Sequence, residues 1–265
     1  MRRLAAALSL VLCVSPAFAA MQTKPVEWKI GEETFSGVLV YDNVNAIKRP
    51  GLVMVPNWMG ITDNAIQHAK DIAGDDYVVL VADVYGKNVR PKNKDEAKAA
   101  VGKAYADATT LRKRIGEAVA VLKAQDKTAP LDADRIGALG FCFGGSTVLE
   151  LARTGANLAG VVSFHGGLKA HLPGNGVKVN TPVLVLNGAA DKSVPNEDVV
   201  AFEKEMDEAG ADWQLVNYSG ARHCFAEIEN ANNAPEDNCR YDERASKRSF
   251  AAMRAFFSER FGGKN

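Results

Sequence analysis

Short apolar segments alternate with amphipathic ones along most of the chain, and this alternation constrains the fold more than any other feature of the sequence. A continuous apolar run bounded by turn residues predicts a strand buried on both faces of a sheet. Such runs cover residues 51–57, 77–85, 135–141, 158–167, 181–191 and 212–219. Before them, residues 26–30 and 33–42 predict an opening pair of strands, the second with alternating apolar positions.

The segments between these strands have the periodicity of amphipathic helices. Residues 64–74 and 108–127 each place apolar side chains on one stripe, formed by Ala65, Ala69, Ile72 and Ala73 and by Leu111, Ile115, Val119 and Leu122. A third helix is predicted from Asn196, a good N-cap residue, to Gly210, and a fourth over 242–261. This order predicts an α/β fold, a doubly wound and mostly parallel sheet with helices on both faces.

The N-terminus has the pattern of a secretory signal peptide. Two arginines precede an apolar run over residues 4–14, and small residues follow it. We expect residues 1–19 to be removed by cleavage after Ala19, which would make the protein exported, either periplasmic or secreted. A lipoprotein is disfavoured because Leu12, rather than a small residue, precedes Cys13. The apolar run is too short to cross a bilayer, so no membrane anchor is predicted.

The rest of the chain, residues 20–265, has the size of a single α/β domain. The full sequence contains 32 basic and 32 acidic residues. This balance gives no attraction to nucleic acid or to an anionic surface. We therefore expect a small-molecule partner and a monomer or small homo-oligomer.

Three cysteines remain after removal of the signal. In an oxidising compartment the simplest arrangement pairs Cys224 with Cys239 across a polar loop and leaves Cys142 free. Three buried, unpaired cysteines are the alternative, since free cysteine often packs as a small apolar residue.

The free cysteine lies in the stretch "GFCFGG", between a predicted strand and a predicted helix beginning near Gly145. This is G-x-C-x-G, the cysteine form of a nucleophile elbow. A sharp strand-to-helix turn strains the central residue and exposes its side chain, so residues two positions away must lack side chains. Gly140 and Gly144 fulfil that need, and the helix N-terminus favours a thiolate at Cys142.

An elbow of this kind requires an acid after a later strand and a histidine after that. Asp191 ends a predicted strand and His223 follows the last one, so the required order is present. His165 also ends a strand but precedes Asp191, which breaks that order. Asp83 competes with Asp191 for the acidic position, and we expect it to be structural. His68, within a helix, and His171, in a loop, are weaker candidates for the base.

Together the stretches "GLVMVPNWMGITDN", "VADVYGK", "GALGFCFGG", "LNGAADKSVP" and "ARHCF" resemble the dienelactone hydrolase family of α/β-hydrolases. The resemblance implies hydrolysis of a small ester or lactone through a thioester on Cys142. His223 would be the general base and then the general acid, and Asp191 would fix its tautomer. The backbone amides of Phe143 and Trp58 would form the oxyanion hole. This chemistry requires no cofactor and no metal.

Three positions depart from the family pattern. Asn57 stands where members carry a carboxylate that pairs with the nucleophile, and Lys87 and Glu227 stand where they carry arginines that bind a substrate carboxylate. A glutamate facing the substrate would repel such a carboxylate, so dienelactone itself is disfavoured as the substrate. The nearby Arg90 could still bind an anion, although a solvated charge is the simpler interpretation. Because Asn57 does not repel a thiolate, we expect a thiolate–imidazolium pair at neutral pH.

Two other functions remain open. The chain could be a secreted binding protein that keeps the fold without catalysis, or a cysteine-based hydrolase of amides or thioesters. Enzymes resembling glutamine amidotransferases place their histidine and acid close together after the nucleophile, whereas here Asp191 lies well before His223. A redox role is disfavoured because no C-x-x-C motif is present.

Overall fold

The computed structural model describes residues 21–173 and 176–262, so the predicted signal peptide lies outside the described residues. Its strands form one eight-stranded sheet in the order β1-β2-β4-β3-β5-β6-β7-β8. Strands β1 and β2 pair antiparallel, β2 pairs antiparallel with β4, and the remaining neighbours are parallel. The strands are β1 (Met21–Ile30), β2 (Glu33–Asp42), β3 (Arg49–Val55), β4 (Val78–Val81), β5 (Leu131–Phe141), β6 (Val161–Phe164), β7 (Val183–Gly188) and β8 (Trp213–Tyr218).

Helices cover both faces of this sheet. The apolar side chains of α1 and α6 pack on one face and those of α3, α4 and α5 on the other, where Ala104 of α2 joins them. The helices are α1 (Asp63–Ala73), α2 (Lys94–Ala106), α3 (Ala108–Lys123), α4 (Phe143–Ala152), α5 (Asn196–Glu208) and α6 (Glu243–Arg260). The α/β-hydrolase fold predicted from the sequence is confirmed.

Several predicted elements need correction. Strand β4 ends at Val81, because Asp83 accepts hydrogen bonds from the amides of Tyr85 and Gly86 and turns the chain there. Strand β8 is an edge strand with partly exposed residues, not a strand buried on both faces. Asn196 is the first residue of α5 rather than its N-cap, which is Pro195.

The sheet topology places the ends of β3 and β5 side by side. Val55 at the end of β3 pairs with Gly140 on β5, although the two are far apart in sequence. The chain leaves β3 for β4 on one side and later continues from β5 toward β8 on the other. Open α/β sheets form their ligand crevice at such a reversal, outside the carboxyl ends of the strands. None of the helices in the described part of the chain is both long and apolar enough to cross a bilayer.

Candidate active site

Cys142 lies at the turn from β5 into α4 in a strained backbone conformation. Its φ is 53° and its ψ is −116°, a region that residues with a side chain rarely occupy. A Cβ added at Gly140 would overlap the carbonyl of Gly144, and one added at Gly144 would overlap the carbonyl of Val55. The two glycines therefore allow the helix start to pass directly against β3, as the nucleophile-elbow pattern predicts. Helix α4 begins at Phe143, earlier than the predicted start near Gly145.

We expect Gly144→Ala to lower the free energy of unfolding by about 3 kcal/mol or more, because the clash is with backbone that cannot rotate away. Gly116→Ala is a matched control. Gly116 lies within α3 with no atom close to its missing Cβ, so alanine there should stabilise the helix by about 0.5–1 kcal/mol. Urea unfolding of both variants measures the difference. Equal stabilities would contradict the tight approach of α4 to β3.

His223 bridges Cys142 and Asp191. Its Nε2 lies 3.0 Å from Cys142 Sγ, and its Nδ1 lies 2.7 Å from Asp191 Oδ2. Strands β5, β7 and β8 deliver these residues to one edge of the sheet, because parallel strands have their carboxyl ends on the same side. The structure thus brings the three predicted triad residues together in hydrogen-bonding contact.

The Asp191 carboxylate is held by several donors. It accepts hydrogen bonds from the Ser193 amide and from Asn238 Nδ2 in addition to its contact with His223. Burial raises the pKa of Asp191, but these bonds and the charge of His223 outweigh it, so the pKa is lowered. Asn238 was not singled out in the sequence, where a lone asparagine in a polar loop gives no signal.

The electrostatics of His223 favour its protonated form. Burial lowers its pKa, but the charge of Cys142 and the hydrogen bonds to Asp191 and Cys142 more than compensate. The net pKa of His223 lies well above its usual value. A raised pKa of His223 is what a thiolate–imidazolium pair requires.

None of the competing residues occupies the base or acid position beside Cys142, which His223 and Asp191 fill. His165 is fully buried, and burial holds its pKa well below its usual value; its ring meets that of His223 edge-on. Asp83 accepts bonds from the Ser36 amide and from Arg90, which gives it the structural role predicted. His68, whose side chain is 11% exposed, pairs with Glu229 and stacks on Phe141 of β5.

A cavity of about 290 Å³ opens over Cys142. Most of its wall is apolar or aromatic, and none of the described residues that line it is an arginine. Its lining comprises Trp58, Val101, Tyr105, Cys142, Phe143, Ser146, Gly167, Leu168, Lys169, His171, Ser193, Asp198 and His223.

Helix α2, which was not predicted from the sequence, supplies Val101 and Tyr105 to this cavity. A signal was present, since Asn93 caps the helix by accepting the Glu96 amide, and Glu96 accepts back from the Lys92 amide. This resembles a capping box, the pattern of a polar N-cap followed three residues later by glutamate.

A buried ionic network supports the cavity wall opposite α2. Glu150 is fully buried and pairs with Arg112 and Arg153. It also accepts the amide of His171, while Arg153 donates to the carbonyl of Leu168. The loop that carries Leu168 and His171 is therefore fixed by charges from α3 and α4. His171 stacks on Tyr105 in this wall, and burial lowers its pKa, which leaves it neutral.

The two residues whose amides are predicted to form the oxyanion hole, Phe143 and Trp58, line the same cavity as Cys142. Phe143 is the first residue of α4, and amides of a first helical turn have no partner within the helix. Trp58 lines the cavity, and its carbonyl accepts a hydrogen bond from the Tyr85 hydroxyl, which holds the peptide between Trp58 and Met59. Asn57 Oδ1 accepts the amide of Met59 and holds the same turn.

The residues expected to contact substrate are not brought to the cavity. Lys87 pairs with Glu27 on β1 and is 47% exposed. Glu227 is buried, and burial together with the charge of Glu229 raises its pKa to about 7. It accepts a hydrogen bond from Asn57 Nδ2 at 2.5 Å, so the side chain of Asn57 is directed to Glu227 and Met59. The expectation that Glu227 faces the substrate is therefore wrong, because the polar partners of that carboxyl lie outside the cavity.

A disulfide joins Cys224 to Cys239 directly after the triad histidine, with their Cα atoms 4.9 Å apart, and Cys142 is a free thiol. His223 forms an isolated β-bridge with Cys239, and its carbonyl accepts the amide of Arg240. The closed loop thus holds both His223 and the Asn238 that contacts Asp191.

We expect the double variant Cys224→Ser, Cys239→Ser to unfold at lower urea concentration, with a loss of about 3 kcal/mol for a loop of this length. Hydrolytic activity should fall as well, because Asn238 and His223 lose a common support. Peptide mapping without reduction should recover the two cysteines in one linked pair. Two free thiols in protein prepared under oxidising conditions would contradict the pairing.

Known proteins resemble this chain along most of its length. Residues 36–261 match the family model described as the dienelactone hydrolase family. A solved structure named m3DLH is 34% identical with a TM-score of 0.84, and the dienelactone hydrolase-like promiscuous phosphotriesterase P91 from metagenomic libraries is 33% identical with a TM-score of 0.83. Each alignment covers 91% of this chain and 98% of the other.

An uncharacterized protein of Caenorhabditis elegans, K02A2.1, is 35% identical over 147 residues, which are 54% of this chain and 90% of the relative. The family resemblance noted in the sequence is confirmed by the family model, which extends from β2 to the end of α6. The chain belongs to the dienelactone hydrolase family of α/β-hydrolases and is a carboxylic-ester hydrolase.

Proposed function

We propose that this enzyme hydrolyses small, uncharged carboxylic esters and lactones through a thioester on Cys142. The observation that carries the proposal is the position of His223, 3.0 Å from Cys142 Sγ and 2.7 Å from Asp191 Oδ2, at the base of a largely apolar cavity. A nucleophile, a base and an orienting carboxylate in this order are the minimum set for covalent acyl transfer.

In the first half-reaction the Cys142 thiolate attacks the ester carbonyl carbon, and the π electrons move to the carbonyl oxygen. The amides of Phe143 and Trp58 donate to that oxyanion. When it collapses, the carbon–oxygen bond to the leaving group breaks, and His223 Nε2 gives its proton to the departing alkoxide. The products of this step are an alcohol and an acyl thioester.

In the second half-reaction His223 Nε2, now neutral, takes a proton from water as the water oxygen attacks the thioester. The carbon–sulfur bond then breaks. A carboxylic acid leaves, and the thiolate and imidazolium are restored. Asp191 remains ionised throughout and keeps the Nδ1 proton of His223 in place.

The cavity supports a substrate without a carboxylate. Lys169 is its one lysine among the described lining residues, but it is 80% exposed and faces Asp198 at 3.9 Å. His171 is neutral, and apart from Lys169, Asp198 and the triad members Cys142 and His223 the wall is apolar, aromatic or uncharged. With no arginine fork present, a carboxylate would lose hydration and gain little in return.

Trapping the intermediate tests this proposal. The native enzyme is mixed with an activated acetate ester, quenched in acid within the burst phase and digested, and we expect one acetyl group on the peptide that contains Cys142. A panel of neutral esters, lactones, thioesters and dicarboxylic monoesters then defines the substrate class, and a phosphotriester is included because a solved relative is described as a phosphotriesterase. Faster turnover of the anionic monoesters would contradict the preference for uncharged substrates.

We also propose that the protein is exported after cleavage behind Ala19. The disulfide between Cys224 and Cys239 supports an oxidising compartment. Intact mass of the protein recovered outside the cytoplasm tests the cleavage point.

A further inference from the structure

Three side chains able to bind a metal ion meet outside the cavity, between α1 and the segment that follows His223. They are His68 on α1 and the two glutamates Glu227 and Glu229, and one ligand atom from each lies within 4.8 Å of the others. His68 Nε2 and Glu229 Oε2 are 3.0 Å apart. The two atoms are at hydrogen-bond distance, close to the separation of about 3.4 Å between two ligands of a tetrahedral zinc ion.

The buried carboxyl of Glu227 independently indicates a ligand at this place. The residue is 2% exposed. Its Oε1 accepts from Asn57, whereas its Oε2 has no hydrogen-bond partner within the described residues. The nearest ring nitrogen, His165 Nε2, is 3.8 Å away and also makes no hydrogen bond there. A buried carboxylate oxygen without a partner is costly, so such an atom indicates a bound water or cation.

A small cavity lies among these side chains. Its volume is about 10 Å³, which is room for one water molecule or one ion. The polar part of its lining consists of Asn57, His68, Glu227 and Glu229.

We propose that His68 Nε2, Glu227 Oε2 and Glu229 Oε2 form a site for one divalent transition-metal ion, with Zn²⁺ as the probe. Two carboxylates neutralise the charge of such an ion, and an imidazole ligand favours zinc over calcium or magnesium. In a tetrahedral site with ligands about 2.1 Å from the ion, any two ligand atoms lie about 3.4 Å apart, so the ligand atoms, which lie within 4.8 Å of one another, must approach by up to about 1.4 Å when the ion binds. The site does not depend on the catalytic roles assigned above.

The bound ion would act as a structural clamp. It joins α1 to the segment directly after the triad histidine, and Glu227 carries the contact on to Asn57 beside the predicted oxyanion loop. Because binding is confined to the folded chain, zinc should raise the melting temperature. Because His68 lies far from the two glutamates in sequence, no local sequence motif indicates the site.

Calorimetric titration with zinc chloride tests the site in full-length Cys142→Ala, which removes the free thiol as a competing ligand. We expect one ion per chain and a higher melting temperature with zinc. His68→Gln and Glu229→Gln, added to this background, should each weaken binding about 100-fold or more, since even residues that only support metal ligands contribute 10–100-fold. His171→Gln removes a histidine of the main cavity and should leave binding unchanged.

Absence of zinc binding to Cys142→Ala, or an affinity left unchanged when His68→Gln or Glu229→Gln is added to that background, would overturn the site. If either variant fails to fold, as judged by circular dichroism, anomalous scattering from zinc-soaked crystals of the unaltered protein decides. A single anomalous peak among the three ligand atoms supports the proposal. A peak only at Cys142 and His223, or only on the surface, refutes it.

Discussion

Replacement of Cys142 by alanine should reduce ester hydrolysis by about 10⁵-fold or more, the scale seen when the nucleophile of a covalent triad is removed. No other described side chain lining the cavity combines a nucleophilic atom with a contact to His223, so no residue can take over the attack. His223→Ala should cause a loss of similar size, because an unassisted thiol is a weak nucleophile at neutral pH. Steady-state kinetics on an activated acetate ester measures both.

The double variant Cys142→Ala, His223→Ala provides a sharper test than either single change. Residues that act as one unit give strongly non-additive losses, so the double variant should be scarcely slower than Cys142→Ala alone. Gly116→Ala, remote from the cavity, controls for activity lost during preparation of a variant and should retain full activity. Full esterase activity in Cys142→Ala would refute the assignment, and additive losses would show that the two side chains act separately.

The clustering of Cys142, His223 and Asp191 could be predicted from sequence because its information is local and ordered. Each of these residues follows a recognisable strand, and the shared carboxyl edge of a parallel sheet brings strand ends together without further knowledge. Gly140 and Gly144 added a steric requirement that the structure explains by the passage of α4 against β3. The fold was predictable for the same reason, since buried strands and amphipathic helices have distinct periodicities.

The substrate wall could not be predicted in the same way. Asn57 and Glu227 are 170 positions apart. Their contact depends on the packing of the segment after β3 against the segment after β8, and no local sequence pattern indicates it. Matching single positions to a family placed Glu227 in the cavity, whereas its partners hold it in a separate buried cluster. Lys87 was likewise predicted to contact substrate, but it pairs instead with Glu27 on the outermost strand β1.

Asp191→Asn should lower kcat/KM by about 10²–10⁴-fold while leaving the fold intact. An asparagine amide can donate to His223 Nδ1, which would place the ring proton on Nε2, facing the sulfur that it must activate. The side chain also keeps an oxygen for the Ser193 amide and Asn238, so stability should change little. Asp83→Asn is a matched control, because Asp83 is equally buried but bonds to Ser36 and Arg90 instead of the triad.

The same variant should also shift the pH dependence in a defined direction. The hydrogen bond and charge of Asp191 both raise the pKa of His223, so their removal lowers it. The imidazolium that protonates the leaving alkoxide is lost as pH rises through that pKa, and the alkaline limb of kcat/KM should therefore begin at lower pH in Asp191→Asn. Thiolate ultraviolet absorbance at neutral pH, corrected with Cys142→Ala, should fall in parallel, because the thiolate loses its imidazolium partner. An unmoved alkaline limb together with unchanged absorbance would mean that Asp191 does not stabilise the ion pair, and that the raised pKa of His223 has another source.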